Sequence, residues 1–370
     1  MKKVLFVSHL ANFSKFNIPF MKWFQEQGWE VHYASLDEEP IRECDRHFKV
    51  CFNRSPYSID NIKAYHQLKY IINTEHYDII HCHTPMGGVV TRLSAKCTRK
   101  NGTKVIYTAH GFHFYKGAPK LNWILYYTME KYLAKFTDCL ITINNEDYQT
   151  AISRKFKAEY IEKINGVGVD LKRFQPVSTE EKMALRSEYG FSADDYILIY
   201  VAEFIKRKDH KFIINALPNI AKQIPNLKLI FAGCGETLNE CVDFSKKMNL
   251  ENKINFVGYR KDVNKLYQLA DCLITSSKQE GLPINIIEGM ASGLPIICAN
   301  IRGQSDIVKN QRNGFLYSLN NAEEFVNRVL KIHNDVQLSA QIKSNNLEDV
   351  KKCSLDKAVA AMAKIYCRFM

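Results

Sequence analysis

Residues 273–297, LITSSKQEGLPINIIEGMASGLPII, decide the reading of the fold. Leu273-Ile274-Thr275 is short and apolar and ends on a β-branched residue, as suits a buried parallel strand. Ser276 to Gln279 is a polar break. Gly281 and Pro283 mark a turn, and proline is tolerated in a first helical turn because its missing N–H would have no partner there. Ile284 to Ser292 predicts a helix, with Gly293 at its C-terminal end. Pro295 then leads into a second apolar strand, Ile296-Ile297-Cys298. Glu280 falls in the loop at the carboxyl end of the first strand, and Glu288 about one turn into the helix. Ligands of open parallel sheets bind at that edge, and the unpaired N–H groups of a helix start favour phosphate. The stretch therefore offers fixed donors for an anion and two carboxylates for hydroxyls. An ordinary βαβ turn with two solvated glutamates has the same spacing, so spacing alone leaves both readings open.

With 370 residues the chain has room for two domains, and 46% hydrophobic against 24% charged residues describe a folded globular protein. Its 11 cysteines are odd in number and form no C-x-x-C, and Cys272 and Cys298 lie in strand-like runs. That usage argues against a disulfide framework or zinc site and for reduced thiols in the cytoplasm. No apolar run has the length of a membrane span. MKKVLFVSHL has an apolar core of only Val4 to Val7 and no small-residue cleavage site after it, so it reads as a first strand rather than a signal peptide.

The formal charge of +12 is uneven: residues 92–135 hold nine basic residues and one acid, Glu130. Arg92, Lys96, Arg99, Lys100, Lys104, Lys116, Lys120, Lys131 and Lys135 are interleaved with Phe112, Phe114, Tyr115, Trp123, Tyr126, Tyr127 and Tyr132. Basic and aromatic residues together point to an anionic membrane surface as partner, not to nucleic acid. A solvated basic face over ordinary core aromatics is the alternative.

Apolar strand-like runs alternate with helical periodicity from residue 2 to residue 144, and the alternation restarts at Tyr196. Within the first half a strand is expected at Val50–Asn53 and a helix from Val89 after a turn over residues 83–88. In the second half a helix from Asp209 is expected to break or end near Pro218. The fold class is α/β, with two successive doubly wound parallel sheets. The expected domains are residues 1–173, residues 174–352, and a C-terminal helix over 353–370 that packs back on the first domain.

The spacing of Glu280-Gly281-Leu282-Pro283 and Glu288, followed by Ala291-Ser292-Gly293-Leu294-Pro295, resembles the hallmark of the retaining, nucleotide-sugar-dependent glycosyltransferases numbered four. The likeness covers nearly the whole chain. TAHGFHFYKGAP (108–119), LITINNED (140–147) and NGVGVDLKRF (165–174) are similar to the subgroup acting in bacterial capsule and exopolysaccharide assembly. The resemblance implies a GT-B fold, two Rossmann-like domains about a central cleft. It implies that Glu288 holds the ribose hydroxyls, that Glu280 lies beside the donor sugar as a catalytic group, and that Gly281, Leu282, Pro283 and Ile284 present backbone amides. Tyr259 and Arg260 would border the base. The family usually has an arginine after the first strand of the second domain and a lysine five residues on. Here Glu203 takes the arginine position and Lys208 the lysine position, with Arg207 as a substitute cation. His110 would face the donor sugar, His113 is a weaker candidate, and Asn12 and Phe13 would lie in the loop approaching the diphosphate.

The resemblance implies transfer, with retention, from a nucleotide-diphosphate sugar such as UDP-GlcNAc, UDP-GalNAc or UDP-Glc. The implied acceptor is a polyprenyl-diphosphate-linked saccharide at the inner face of the cell membrane. No Asp-x-Asp stands at a strand end, so no metal or other cofactor is expected, and cations and helix amides would stabilise the leaving diphosphate. Two rival readings are a nucleotide-sugar epimerase of the same fold and a non-catalytic sugar-nucleotide-binding partner of an assembly complex.

Overall fold

Val4 to Val7 are fully buried, and each residue of this run pairs in parallel on both sides, Val4 with Val31 and with Ile79. A strand between parallel neighbours carries helices on both faces, so both of its side-chain sets must be apolar. In the computed structural model, which describes residues 1–37, 41 and 43–370, this strand is the centre of the first of two compact units. The first comprises Met1–Gly168 and Leu355–Met370, the second Val169–Ser354.

The first unit contains β1 (Lys3–Val7), β2 (Glu30–Ser35), β3 (Arg46–Lys49), β4 (Ile79–His83), β5 (Lys104–Ala109), β6 (Cys139–Thr142) and β7 (Tyr160–Lys163). They form one parallel sheet in the order β3-β2-β1-β4-β5-β6-β7. The order reverses between β1 and β4, which makes their carboxyl ends the place where a doubly wound sheet leaves a crevice. The helix Leu355–Cys367 closes this unit. Tyr366 stacks on Trp23 at 5.6 Å, and its hydroxyl lies 2.7 Å from Nδ1 of His81. At Gly168 a Cβ would stand 2.6 Å from the Leu355 Cα, and φ is +85°, so the crossing of the two segments requires glycine.

The second unit contains β8 (Tyr196–Val201), β9 (Leu227–Ala232), β10 (Ile254–Gly258), β11 (Cys272–Thr275), β12 (Ile296–Ala299) and β13 (Phe315–Tyr317). Their order is β10-β9-β8-β11-β12-β13, again parallel. Along β8 the side chains alternate between two cores, Ile197 and Ile199 in one and Leu198 and Tyr200 in the other. Here the order reverses between β8 and β11.

Several local expectations are corrected. The strand placed at Val50–Asn53 lies at Arg46–Lys49, where its polar edge residues disguise it, while Val50 and Phe52 are core residues outside any strand. The helix expected from Val89 begins one turn earlier, at Pro85, a residue suited to that position. The helix His210–Ala221, by contrast, ends as expected within a turn of Pro218. The basic stretch is not all surface: Arg92 is 1% exposed, donates to Glu130 Oε2 at 2.8 Å and lies over the Tyr107 ring. Among the described residues no helix is long and apolar enough to cross a membrane.

Candidate active site

The loops after β8 and β11 bring together the charged candidates of the second unit. After β8 the chain makes one 3-10 turn at Lys206–Lys208, and Asp209 follows in a left-handed conformation (φ 50°). The turn is held from below. Tyr200 donates its hydroxyl hydrogen to the Lys208 carbonyl at 2.9 Å, and the Ser276 hydroxyl lies 2.9 Å from the same oxygen. Lys278 N–H donates to the Arg207 carbonyl at 2.8 Å, and its ammonium pairs with Asp209 at 2.7 Å. So fixed, Lys208 donates to Glu280 Oε1, and Arg207 Nη1 stands 3.6 Å from Oε2. The Glu280 side chain is 8% exposed and that of Lys208 12%, whereas Arg207 is 45% exposed. A carboxylate this buried needs its cations.

The segment after Glu280 is held as closely. Arg302 Nε donates to the Glu280 carbonyl at 3.1 Å. A Cβ on Gly303 would stand 2.4 Å from the Gly281 carbonyl oxygen, with φ at +78°, so this approach also requires glycine. Pro283 occupies the cap position, and the helix Ile284–Ala291 starts after it. Asn285 Nδ2 donates to the Val201 carbonyl at 3.1 Å, tying the helix start to the end of β8. Glu288 is half-buried and accepts from the Tyr267 hydroxyl at 3.1 Å. Burial, and then the Glu288 carboxylate, push the Tyr267 phenol well above its ordinary range and keep it a donor.

The other donor-site candidates form no hydrogen bond or ion pair with this cluster among the described residues. Glu203 is exposed and makes no ion pair with the described residues. Tyr259 is 70% exposed. Arg260 is committed to Asp262, at 2.8 and 2.5 Å, and its hydrogen bond holds that carboxyl well below the usual range.

In the first unit the candidates gather at the carboxyl ends of β4 and β5. His110 directly follows β5, and its Nε2 lies 3.1 Å from Nδ1 of His83, the last residue of β4. The Phe13 ring meets His110 edge-on at 4.8 Å. His81 continues the row, with its ring 4.1 Å from that of His83 and its nitrogens engaged by Tyr366 and Thr108. Burial lowers His110 to about 4 and His81 to about 3, and it holds His83 well below the ordinary histidine value, so all three are neutral at pH 7. Thr84, next in the chain, has φ 63°, a strained conformation for a β-branched residue, and its Oγ1 accepts from His9 N–H at 3.3 Å. Asn12 is exposed, and His113 lies elsewhere, stacked on Tyr126 at 4.7 Å.

The sequence reading passed over His81 and His83, Tyr200, Tyr267, Arg302 and Gly303. Only the histidines carried a usable signal. Their i, i+2 spacing puts both on one face of a strand, and the second stands at the strand's carboxyl end.

Residues 3–144 match the family model described as "Glycosyl transferase 4-like", and residues 181–349 match "Glycosyl transferases group 1". The Bacillus subtilis (strain 168) protein named "Putative glycosyltransferase EpsD" is 41% identical over 370 residues, spanning 100% of this chain and 97% of that protein. The chain belongs to the family-four glycosyltransferases. An Escherichia coli relative of this glycosyltransferase, named "UDP-Gal:alpha-D-GlcNAc-diphosphoundecaprenol alpha-1,3-galactosyltransferase", is 27% identical, covering 83% of this chain and 80% of its own. Anabaena HepE in complex with UDP-glucose has the same fold, with a TM-score of 0.83 at 20% identity and full coverage of both chains. WaaG, a lipopolysaccharide-biosynthesis glycosyltransferase, matches at a TM-score of 0.78 and 15% identity, over 98% of this chain and 99% of its own. The GT-B fold of the glycosyltransferase thus agrees with its two parallel sheets.

Proposed function

We propose that this glycosyltransferase moves a sugar from a UDP-sugar to a polyprenyl-diphosphate-linked saccharide, with retention and without a metal ion, in exopolysaccharide or other surface-glycan assembly. The observation that carries the reading is the pairing of Lys208 and Arg207 with Glu280 beside the start of the helix Ile284–Ala291. When the bond from the anomeric carbon to the diphosphate breaks, negative charge grows on the leaving group. Lys208 turns from Glu280 to that charge, joined by Arg207 and the helix amides, which supplies electrostatic stabilisation without a metal. Glu280, released, accepts from hydroxyls of the donor sugar, and Glu288 accepts from the ribose. His110 contacts the donor sugar. The UDP named for the galactosyltransferase relative and bound in HepE supports the choice of nucleotide. The diphosphoundecaprenol in that relative's name supports the acceptor class. A screen of UDP-sugars with extracted lipid-linked acceptors tests the reading. Acceptor-dependent UDP release with an α-configured product supports it, and acceptor-independent epimerisation of the free donor would sink it.

With a lipid-linked acceptor the reading extends to a cytoplasmic enzyme working at the inner face of the cell membrane. The segment Lys120–Leu133, an α-helix interrupted by a π turn at Trp123–Tyr127, exposes Leu121 (60%), Ile124 (64%), Leu125 (41%) and Tyr132 (50%). Exposed Lys116, Lys120, Lys131 and Lys135 flank them. Apolar side chains rimmed by lysines suit the boundary of an anionic bilayer. Sedimentation with phosphatidylglycerol vesicles but not with phosphatidylcholine vesicles is expected, and equal recovery with both contradicts it.

A further inference from the structure

His83 and His110 share one hydrogen bond, and only one of the two can supply its proton. The bond joins Nδ1 of His83 to Nε2 of His110 at 3.1 Å. His83 is 1% exposed, and its other nitrogen, Nε2, has no hydrogen-bond partner in the protein. Aromatic rings surround it: His81 at 4.1 Å, Phe13 at 5.6 Å and Phe6 at 6.5 Å, the last parallel to it. His81 cannot serve as partner, because Tyr366 and Thr108 engage both of its nitrogens.

If His110 donated, His83 would accept on Nδ1 and carry its own proton on Nε2. That would leave a buried N–H with nothing to receive it, the rarest unsatisfied group in folded proteins. If His83 donates from Nδ1, only a lone pair is left among the rings. His110 then accepts on Nε2 and holds its proton on Nδ1. Burial keeps both rings neutral, so neither gains a second proton near pH 7.

We propose that His83 is a positioning residue: it donates to His110 Nε2 and fixes the tautomer in which His110 presents an Nδ1–H. His110 then meets the substrate as a hydrogen-bond donor to a hydroxyl or other oxygen, and not as a base. The inference rests on the proposed place of His110 at the donor sugar. His83 touches no substrate in this account and acts through the ring it holds.

Long-range 1H–15N spectra of the full chain, labelled at histidine and assigned for His110 by comparison with H110Q, read the tautomer directly. His110 should be protonated on Nδ1 and bare on Nε2. Two replacements of similar shape then make opposite demands. H83N keeps an N–H where His83 has one and preserves the tautomer. H83D offers only an acceptor and drives the His110 proton to Nε2. In transfer assays H83D should lower kcat about 100-fold, and H83N, the conservative variant, should recover all but about threefold. A wild-type His110 protonated on Nε2 overturns the inference, as does one tautomer shared by H83N and H83D. Should H83D fail to fold, the wild-type spectrum still decides. The spectra need no turnover. If they show the Nδ1–H tautomer while H110Q transfers at the full rate, it is the placement of His110 at the donor sugar that fails.

Discussion

At the ends of β8 and β11 two cations flank one carboxylate, while at the ends of β4 and β5 the corresponding groups are three neutral imidazoles packed with Phe6 and Phe13. Both places adjoin a point where a sheet's strand order reverses, β4 beside β1 and β8 beside β11, so topology supplies a comparable crevice twice. What fills it differs with the work proposed for it. A leaving diphosphate needs mobile positive charge, and a Lys208 already paired with Glu280 is kept desolvated at low cost until a stronger anion arrives. A sugar hydroxyl needs direction more than charge, and a ring held by neighbouring rings provides it. The lesson is that one backbone solution accommodates two electrostatic regimes, set by a few side chains at strand ends.

The largest expected effect breaks the charged side of this contrast. K208A should lower kcat/KM by about 1000-fold, measured as UDP release from whichever donor turns over. A loss under tenfold would place the phosphate charge elsewhere. The neutral side is tested by pH. Unfolded histidine titrates near 6.5, whereas burial holds His110 near 4 and His81 near 3. Above 6.5 neither state binds the proton and stability is unaffected. As pH falls from 6.5 toward 4 the unfolded chain takes up protons that the folded chain refuses, so stability is lost. Each such proton contributes up to about 1.4 kcal/mol per pH unit. Urea denaturation at pH 7 and pH 5 should show this loss, and H83N should show less of it. An equal loss in both would mean that His83 titrates normally.

Two smaller effects sharpen the charged side. Arg207 is half-exposed, so R207A should raise the donor KM only about tenfold, and less at high salt. A salt-independent effect would mark a packing role instead. E203R places a cation where the family usually has one. It should tighten UDP binding about threefold by calorimetry, and weaker binding would mean that Glu203 does work of its own in the site.

The same contrast explains what could be read in the sequence. Glu280 was legible because a charge in the loop after an apolar strand interrupts a pattern that otherwise runs unbroken, while the roles of Glu288, on the helix that follows, and of Lys208 were read from the family resemblance. The alternation that produced both sheets was legible for the same reason, except at β3 and β7. Those edge strands have partly exposed, polar sequences that resemble loops. The imidazole row was harder. A neutral, buried histidine in a strand reads as one more tolerated residue, and its partner Tyr366 lies 285 positions away from His81. Distance in sequence also hid Arg92, counted with a basic face until Glu130, 38 positions on, was found beside it in the core. Pairings of this kind are properties of the packed fold, and no local window contains them.

Tyr366 adds a consequence in the order of synthesis. The residue that braces His81 is translated after the whole of Val169–Ser354. At ribosomal speeds of about 5–20 residues per second, the roughly 200 intervening residues take on the order of 10–40 seconds. During that interval the first sheet exists without its closing helix, with Trp23 lacking its stacking partner and one end of the imidazole row unbraced. The second unit is one unbroken stretch of chain and can be finished first, although it is begun second.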